Sequence, residues 1–212
     1  TRADDGCLRI GGLTADELVR QCGSPVYVID EVDFRDRART WRDAFEGWSV
    51  YYAGKSFLCA DVARWIDSEG LCLDVSSHGE LVVALRAGFD PARIALHGNN
   101  KSDEVLRLAL TRGVGRIVVD SADEIGRLER LTTELGVRAQ VLIRVTTGVE
   151  AHTHEYIATA HEDQKFGFSI SGGQALVAMV RCYGSPTIDL RGIHSHIGSQ
   201  IFDTNGFEVA AR

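Results

Sequence analysis

No stretch of the sequence approaches the roughly 18 consecutive apolar residues that a membrane-crossing helix requires, so no membrane partner is expected. Basic runs are missing too. The 30 acidic residues outnumber 23 basic ones, both scattered, for a net charge of −7. A nucleic-acid partner needs clustered positive charge to neutralise phosphates, and none is expected here. The first residues, TRADDGCLRIGG, lack the charged-then-apolar order of a secretion signal; a cytoplasmic protein is the simplest expectation. There is no CxxC pair. The five cysteines (Cys7, Cys22, Cys59, Cys72, Cys182) are odd in number and far apart, which argues against a disulfide framework and a structural zinc site. Reduced, mostly buried thiols are expected. What the sequence does have is apolar content of 44% over 212 residues, enough to fill the core of a soluble globular protein.

From about residue 48 a unit recurs: a short β-branched run, a loop, an amphipathic segment, a glycine. Strands are predicted at SVYYA, LCLDV, RIALHG, GRIVVDS, QVLIRV and IDLRGIHSH, starting at residues 49, 71, 93, 115, 140 and 188. The first five starts are separated by 22, 22, 22 and 25 residues. Between them lie ADVARWIDSEG, GELVVALRAG, SDEVLRLALTRG and ADEIGRLERLTTELG, each with apolar residues at three- and four-residue spacing and a terminal glycine. This rhythm means parallel βα units. The strands read as nearly continuous apolar runs, as expected where helices cover a sheet.

Either an open doubly wound sheet or a closed (β/α)8 TIM-type barrel accommodates such units. The barrel is favoured, because polar residues end nearly every strand rather than one switch point: Lys55, Asp74, His97 with Asn99, Asp120, Arg144 and His196. In that fold the carboxyl ends of the strands hold the active site. Six strands cannot close an eight-stranded barrel, so the barrel is expected to be incomplete, occupying residues 48–212. The connection from Thr146 to Thr187, with EAHTHEYIATAHEDQKFGFS, is a candidate lid or substrate loop. Residues 1–47 stand outside the repeat, although SPVYVID reads as a strand and EVDFRDRARTWRDAF as a helix. They are expected to form an opening segment that belongs partly to a second domain.

Two stretches carry chemistry. In YYAGKSF, Lys55 stands among small residues at a strand end. It is either a solvated loop charge or an amine in a desolvated pocket, nucleophilic toward a carbonyl; Ala53, Gly54 and Ser56 leave space for a flat ring such as that of pyridoxal phosphate. In GIHSHIGSQIFD, His194 and His196 face the same way in a strand. A metal site is one reading, but no acidic residue stands beside the pair, and none is expected. The other is that His196 lies against a cofactor ring while Ser199 and the backbone beside it meet a phosphate. For His194, a satisfied core histidine is the expectation.

YYAGKSF, LCLDVSSHGEL, AGFDPARIALHGNNKS, HEDQKFG and HSHIGSQIFD together resemble the amino-terminal part of the diaminopimelate decarboxylases. These are pyridoxal-phosphate enzymes that convert meso-diaminopimelate to L-lysine, and their barrel is of the alanine-racemase and decarboxylase type. The resemblance runs from about Ser24 to the last residue. It implies that Lys55 is the Schiff-base lysine, that His196 stacks on the pyridine ring and that Ser199 serves the phosphate. It further implies that Asp74 and Glu80 help hold the lysine's surroundings and that Arg144 lies near the phenolic side. Ser56, where alanine is more usual, and His78, where a small residue is common, depart from the family's pattern. The resemblance also implies a two-domain homodimer with a second, β domain. It places a glycine-rich phosphate loop, an acidic partner of the pyridine nitrogen, a substrate-carboxylate arginine and a cysteine motif beyond Arg212, so that the 212 residues alone should be inactive. Rival expectations are a decarboxylase of another diamino acid, such as ornithine or arginine, and a non-catalytic pyridoxal-phosphate carrier barrel.

Overall fold

Six strands run parallel and lie side by side in the order in which the chain makes them: β3 (Tyr51–Ala53), β4 (Cys72–Val75), β5 (Ile94–Leu96), β6 (Arg116–Val119), β7 (Ala139–Thr146) and β9 (Ile188–Ser195). The computed structural model describes residues 6–148, 166–198 and 204–212. A doubly wound sheet would reverse its order at a switch point. Here every connection steps to the next neighbour, which is the winding of a barrel. Among the described residues the barrel is partial, with β3 and β9 at its edges.

The predicted helices form at nearly the predicted positions. They are α3 (Ala60–Ser68), α4 (His78–Arg86), α5 (Asp103–Arg112), α6 (Ala122–Leu135) and α7 (Gln174–Gly184), with α8 (Asn205–Ala211) near the end. Serines start three of them: Ser77, Ser102 and Ser121 each accept a hydrogen bond from the backbone N–H three residues on. Gly113 and Gly136 stop α5 and α6 in the left-handed conformation that a side chain would resist. The apolar faces meet the sheet in one core, with Ile66, Leu73, Leu106, Ile117, Leu128 and Ile143 fully buried. Each such side chain contributes about 1.5–3 kcal/mol by leaving water. No helix of the described residues is long and apolar enough to cross a membrane.

Several expectations are corrected. SPVYVID is not a strand: Val26, Tyr27, Val28 and Ile29 are exposed and no neighbouring strand hydrogen-bonds them among the described residues. Its last residue, Asp30, instead caps α2 (Glu31–Ala44), accepting from the N–H groups of Val32 and Asp33 at 3.0 and 3.3 Å. A two-strand hairpin, β1 (Arg9–Ile10) with β2 (Leu13–Thr14), and the helix α1 (Ala15–Cys22) precede that segment. The thiols are free but only Cys182 is buried; Cys7 and Cys22 are exposed. The strands are not uniformly apolar either. β4 and β7 alternate buried and half-buried residues, since helices cover only one face of the sheet in the described structure. The half-buried face carries Asp74 and Arg144.

α2 docks against α3 and β3. Phe34 packs edge-on to Tyr52 at 5.4 Å and against Trp65 at 5.7 Å, while Arg35 and Arg39 both donate to Glu69 at 3.0 and 2.9 Å. A short strand, β8 (Phe168–Ser169), pairs with the last residues of β7. Since β9 takes the other edge of β7 throughout, β8 continues the edge that β6 occupies further back.

Candidate active site

The carboxyl ends of these strands bring ionisable side chains onto one rim. Lys55 does not stand in β3 itself but in the single 3-10 turn Gly54–Ser56 that follows it, and it is exposed rather than crowded. The crowding falls on Gly54: a Cβ there would lie 2.8 Å from the Asp74 carbonyl oxygen of β4. The glycine therefore lets the turn close against the next strand, which sets where Lys55 leaves the sheet. Gly54→Ala should push β3 from β4 and cost about 1–3 kcal/mol, read as a lower melting temperature; an unchanged melt would mean that the turn does not need this close approach. The Ser56 hydroxyl donates to the Ala53 carbonyl at 2.8 Å and lies 3.0 Å from the Tyr52 hydroxyl. Its departure from alanine thus closes the turn. His78 is the exposed first residue of α4.

Asp74, near the end of β4, is the most perturbed acid of the rim. Burial pushes its carboxyl up to about 6, with Glu80 adding to the rise and the Lys55 and Arg144 cations opposing it. Its Oδ1 is buried without a hydrogen-bond partner; His97 Nε2 approaches it at 3.4 Å, in poor alignment for a bond. Glu80 points elsewhere, accepting from the Ser76 N–H at 2.7 Å. His97 meets His194 edge to face, ring centres 4.7 Å apart. Burial is the main reason that both imidazoles stay neutral, His97 pushed down to about 3 and His194 to about 4. His194 is no satisfied core histidine: its Nδ1 is buried without a hydrogen-bond partner.

A bulge brings the histidine pair to this rim. β7 and β9 pair in register up to Val141 opposite Leu190, then the register slips by one, so that Leu142 faces Gly192 and Arg144 faces His194. Arg191 is the extra residue. Without the slip, alternation would put His194 on the helix-covered face; with it, His194 shares the face of Arg144. Arg144 lies over the Phe166 ring at 4.5 Å and 3.7 Å from Asp120 Oδ1. His196, beyond the strand, is exposed, and its imidazole is held below the ordinary value first by burial, then by Lys55 and Arg144.

The structure therefore draws together Lys55, Asp74, Arg144 and His196, coupled through the charges of Lys55 and Arg144. Ser199 and residues 149–165 of the connection from Thr146 to Thr187 lie outside the described residues. Sequence reasoning gave no role to Lys101 and passed over Glu124. These two are almost completely buried beneath Asp120 as an ion pair of 2.7 Å. The usable signal was Ser121-x-x-Glu124, a capping-box spacing that repeats Ser77-x-x-Glu80.

Could this rim hold pyridoxal phosphate? A flat aromatic ring bearing anionic and phenolic oxygens needs an amine, a second cation, an imidazole kept neutral and unsatisfied polar atoms. Lys55, Arg144, His196 and the unpartnered Asp74 Oδ1 and His194 Nδ1 answer to that description. The residues fit the group.

Comparison with known proteins places the chain in a class first. Residues 31–212 match the model of the pyridoxal-dependent decarboxylases, pyridoxal binding domain, and the chain belongs to that family. Among curated relatives it is 55% identical to the diaminopimelate decarboxylase of Mycobacterium tuberculosis (strain ATCC 25618 / H37Rv) over 212 residues, all of this chain and 47% of that protein. It is 49% identical to that of Bacillus subtilis (strain 168), covering 97% of this chain and 48% of the relative. The chain thus spans about half the length of the curated relatives it matches. Among solved structures, diaminopimelate decarboxylase from M. jannaschii in complex with L-lysine superposes with a TM-score of 0.84 at 28% identity, over 96% of this chain and 49% of that one. A lysine/ornithine decarboxylase from Vibrio vulnificus shares the fold, with a TM-score of 0.71 at 24% identity, over 92% of this chain and 49% of that one.

Proposed function

We propose that this chain carries pyridoxal 5'-phosphate on Lys55 and supplies the cofactor half of an enzyme that decarboxylates meso-diaminopimelate to L-lysine. The observation that carries the reading is the meeting of Lys55, Asp74, Arg144 and His196 at one set of strand ends in a chain of the pyridoxal-binding family. Identity of 55% with a curated diaminopimelate decarboxylase along the whole chain supports the substrate, as does the L-lysine held by the M. jannaschii relative.

When bound, pyridoxal phosphate supplies an electron sink for the pair left as carbon dioxide departs. The chain's own residues have simpler tasks. Lys55 provides the attaching amine, and its exposure on an open rim leaves that amine reachable. His196, its imidazole held below the ordinary value, would offer a flat face to the ring without adding to the positive charge that Lys55 and Arg144 already bring. Arg144 brings a guanidinium to the rim, held from behind by Asp120 and Phe166. Asp74, pushed up to about 6, holds a proton on its carboxyl in mildly acidic solution and releases it near neutrality, beside the Lys55 ammonium. Ser199 serves the phosphate. Residues 48–212 form the cofactor barrel, and residues 1–47 belong partly to a second β domain. The full-length protein is a cytoplasmic homodimer acting on a free amino acid.

Carbon dioxide release by the full-length protein tests the substrate. meso-Diaminopimelate should exceed ornithine and arginine in kcat/KM by about 10²-fold or more, because a site built to bind a polar far end rejects analogues that leave it unpaired. Equal or faster turnover of ornithine or arginine would overturn the assignment.

A further inference from the structure

The buried pair Lys101–Glu124 has no part in the site as described so far, yet it lies directly behind it. The two side chains are 2% and 1% exposed and meet at 2.7 Å. The Lys101 ammonium also donates to the Val118 carbonyl of β6 at 2.8 Å and to the Gly98 carbonyl in the loop after β5. One amine thus ties that loop, a central strand and α6 together. The second oxygen of Glu124 accepts from the Asp120 N–H at 3.1 Å, and Asp120 is the residue whose carboxylate faces Arg144 at 3.7 Å. The path from the pair to the rim is short and continuous: Glu124, Asp120, Arg144.

Stability is a poor reason for such a pair. Burial alone lowers the lysine and raises the glutamate, and each opposes the other's shift. Two charges taken out of water cost about as much as their attraction returns, and apolar residues of similar volume often serve equally well. The comparison within this chain points the same way. Glu80 grips the N–H of Ser76 after β4 as Glu124 grips that of Asp120 after β6, but Glu80 does so without a buried cation. Only the grip behind Arg144 is locked by an ammonium.

We propose that Lys101 and Glu124 are positioning residues for the pyridoxal pocket: together they fix Asp120, and through it the guanidinium of Arg144. The proposal rests on the pyridoxal reading above. In the full-length protein, the double substitution Lys101→Met with Glu124→Leu removes both charges and keeps the volume. The expected result is a cofactor-free melting temperature within a few degrees of wild type, with the dissociation constant for pyridoxal phosphate, read by absorbance titration, raised about tenfold or more. Arg144→Lys should weaken binding in the wild-type background but by less than about twofold further in the double variant, since the two act along one path. Unchanged cofactor affinity in a folded double variant overturns the proposal, as does an Arg144→Lys loss of equal size in both backgrounds. If the double variant fails to fold, Lys101→Gln with Glu124→Gln, a neutral pair that leaves no lone charge buried, takes its place: weaker cofactor binding supports the proposal, and wild-type affinity overturns it. Wild-type protein that binds no pyridoxal phosphate overturns the reading of the pocket itself, a result distinct from wild-type binding that the double variant matches.

Discussion

Lys55→Ala in the full-length protein should lower turnover by about 10³-fold or more, the scale set by loss of a covalent catalytic nucleophile, while leaving the fold in place. Lys55 is exposed on a 3-10 turn, so its removal costs the sheet little. Its charge does matter locally: it lowers Asp74 and His196, and both should rise when it is gone. The sequence contains three lysines, Lys55, Lys101 and Lys165, which makes the assignment unusually open to test. Lys101 is committed to Glu124 and two carbonyls, leaving its amine no path to the rim. Borohydride reduction of the wild type with pyridoxal phosphate should therefore add one reduced cofactor to the peptide containing Lys55, and none to Lys55→Ala. An adduct on Lys101 or Lys165, or turnover retained by the variant, would sink the role given to Lys55.

Much of this arrangement was legible beforehand, and for a physical reason. Spacings of 22 residues between strand starts encode a strand, a three-turn helix and two loops, and that rhythm is set by local periodicity alone. Asp74, Arg144 and His196 could be placed on one rim because strand ends in such a winding face one way. Features that depend on a partner were hidden. SPVYVID has the residues of a strand, but a strand exists only where another backbone accepts it, and nothing local announces that. The two histidines could be seen to share a face; that the face is Arg144's depends on the Arg191 bulge, a one-residue slip between partners such as Val141 and Leu190 that lie far apart in the chain. Lys101 reads as a loop charge, since lysine is rarely buried. Its burial depends on Glu124, which the helix α6 presents to it from the next βα unit.

The second large effect concerns stability against pH, where three rim groups pull in opposite directions. His97 is pushed down to about 3 and His194 to about 4, from an ordinary 6.5. Between about 4 and 6.5 the unfolded chain binds a proton at each position that the folded chain refuses. Stability from these two is fully present above 6.5 and is lost as pH falls, by at most ~1.4 kcal/mol per pH unit for each. Asp74 has the opposite sign. Raised from 3.8 to about 6, it holds a proton in the folded state that the unfolded state has released; its contribution is present below 3.8 and is lost as pH rises through 6. Urea unfolding of the cofactor-free protein across pH 4 to 6 should resolve this. His97→Gln should flatten the rise of stability with pH relative to wild type, and Asp74→Asn should steepen it, each by up to ~1.4 kcal/mol per pH unit. The Asp74 and His97 side chains lie 3.4 Å apart, so the double variant need not be the sum of the two. The direction of each single-variant change is the discriminating feature. Reversed signs, with His97→Gln steepening the rise and Asp74→Asn flattening it, would mean that Asp74 is ionised in the fold, with His97 as its charged partner. The rim would then be a salt bridge, rather than a desolvated pocket whose histidines are kept neutral beside a proton-holding carboxyl.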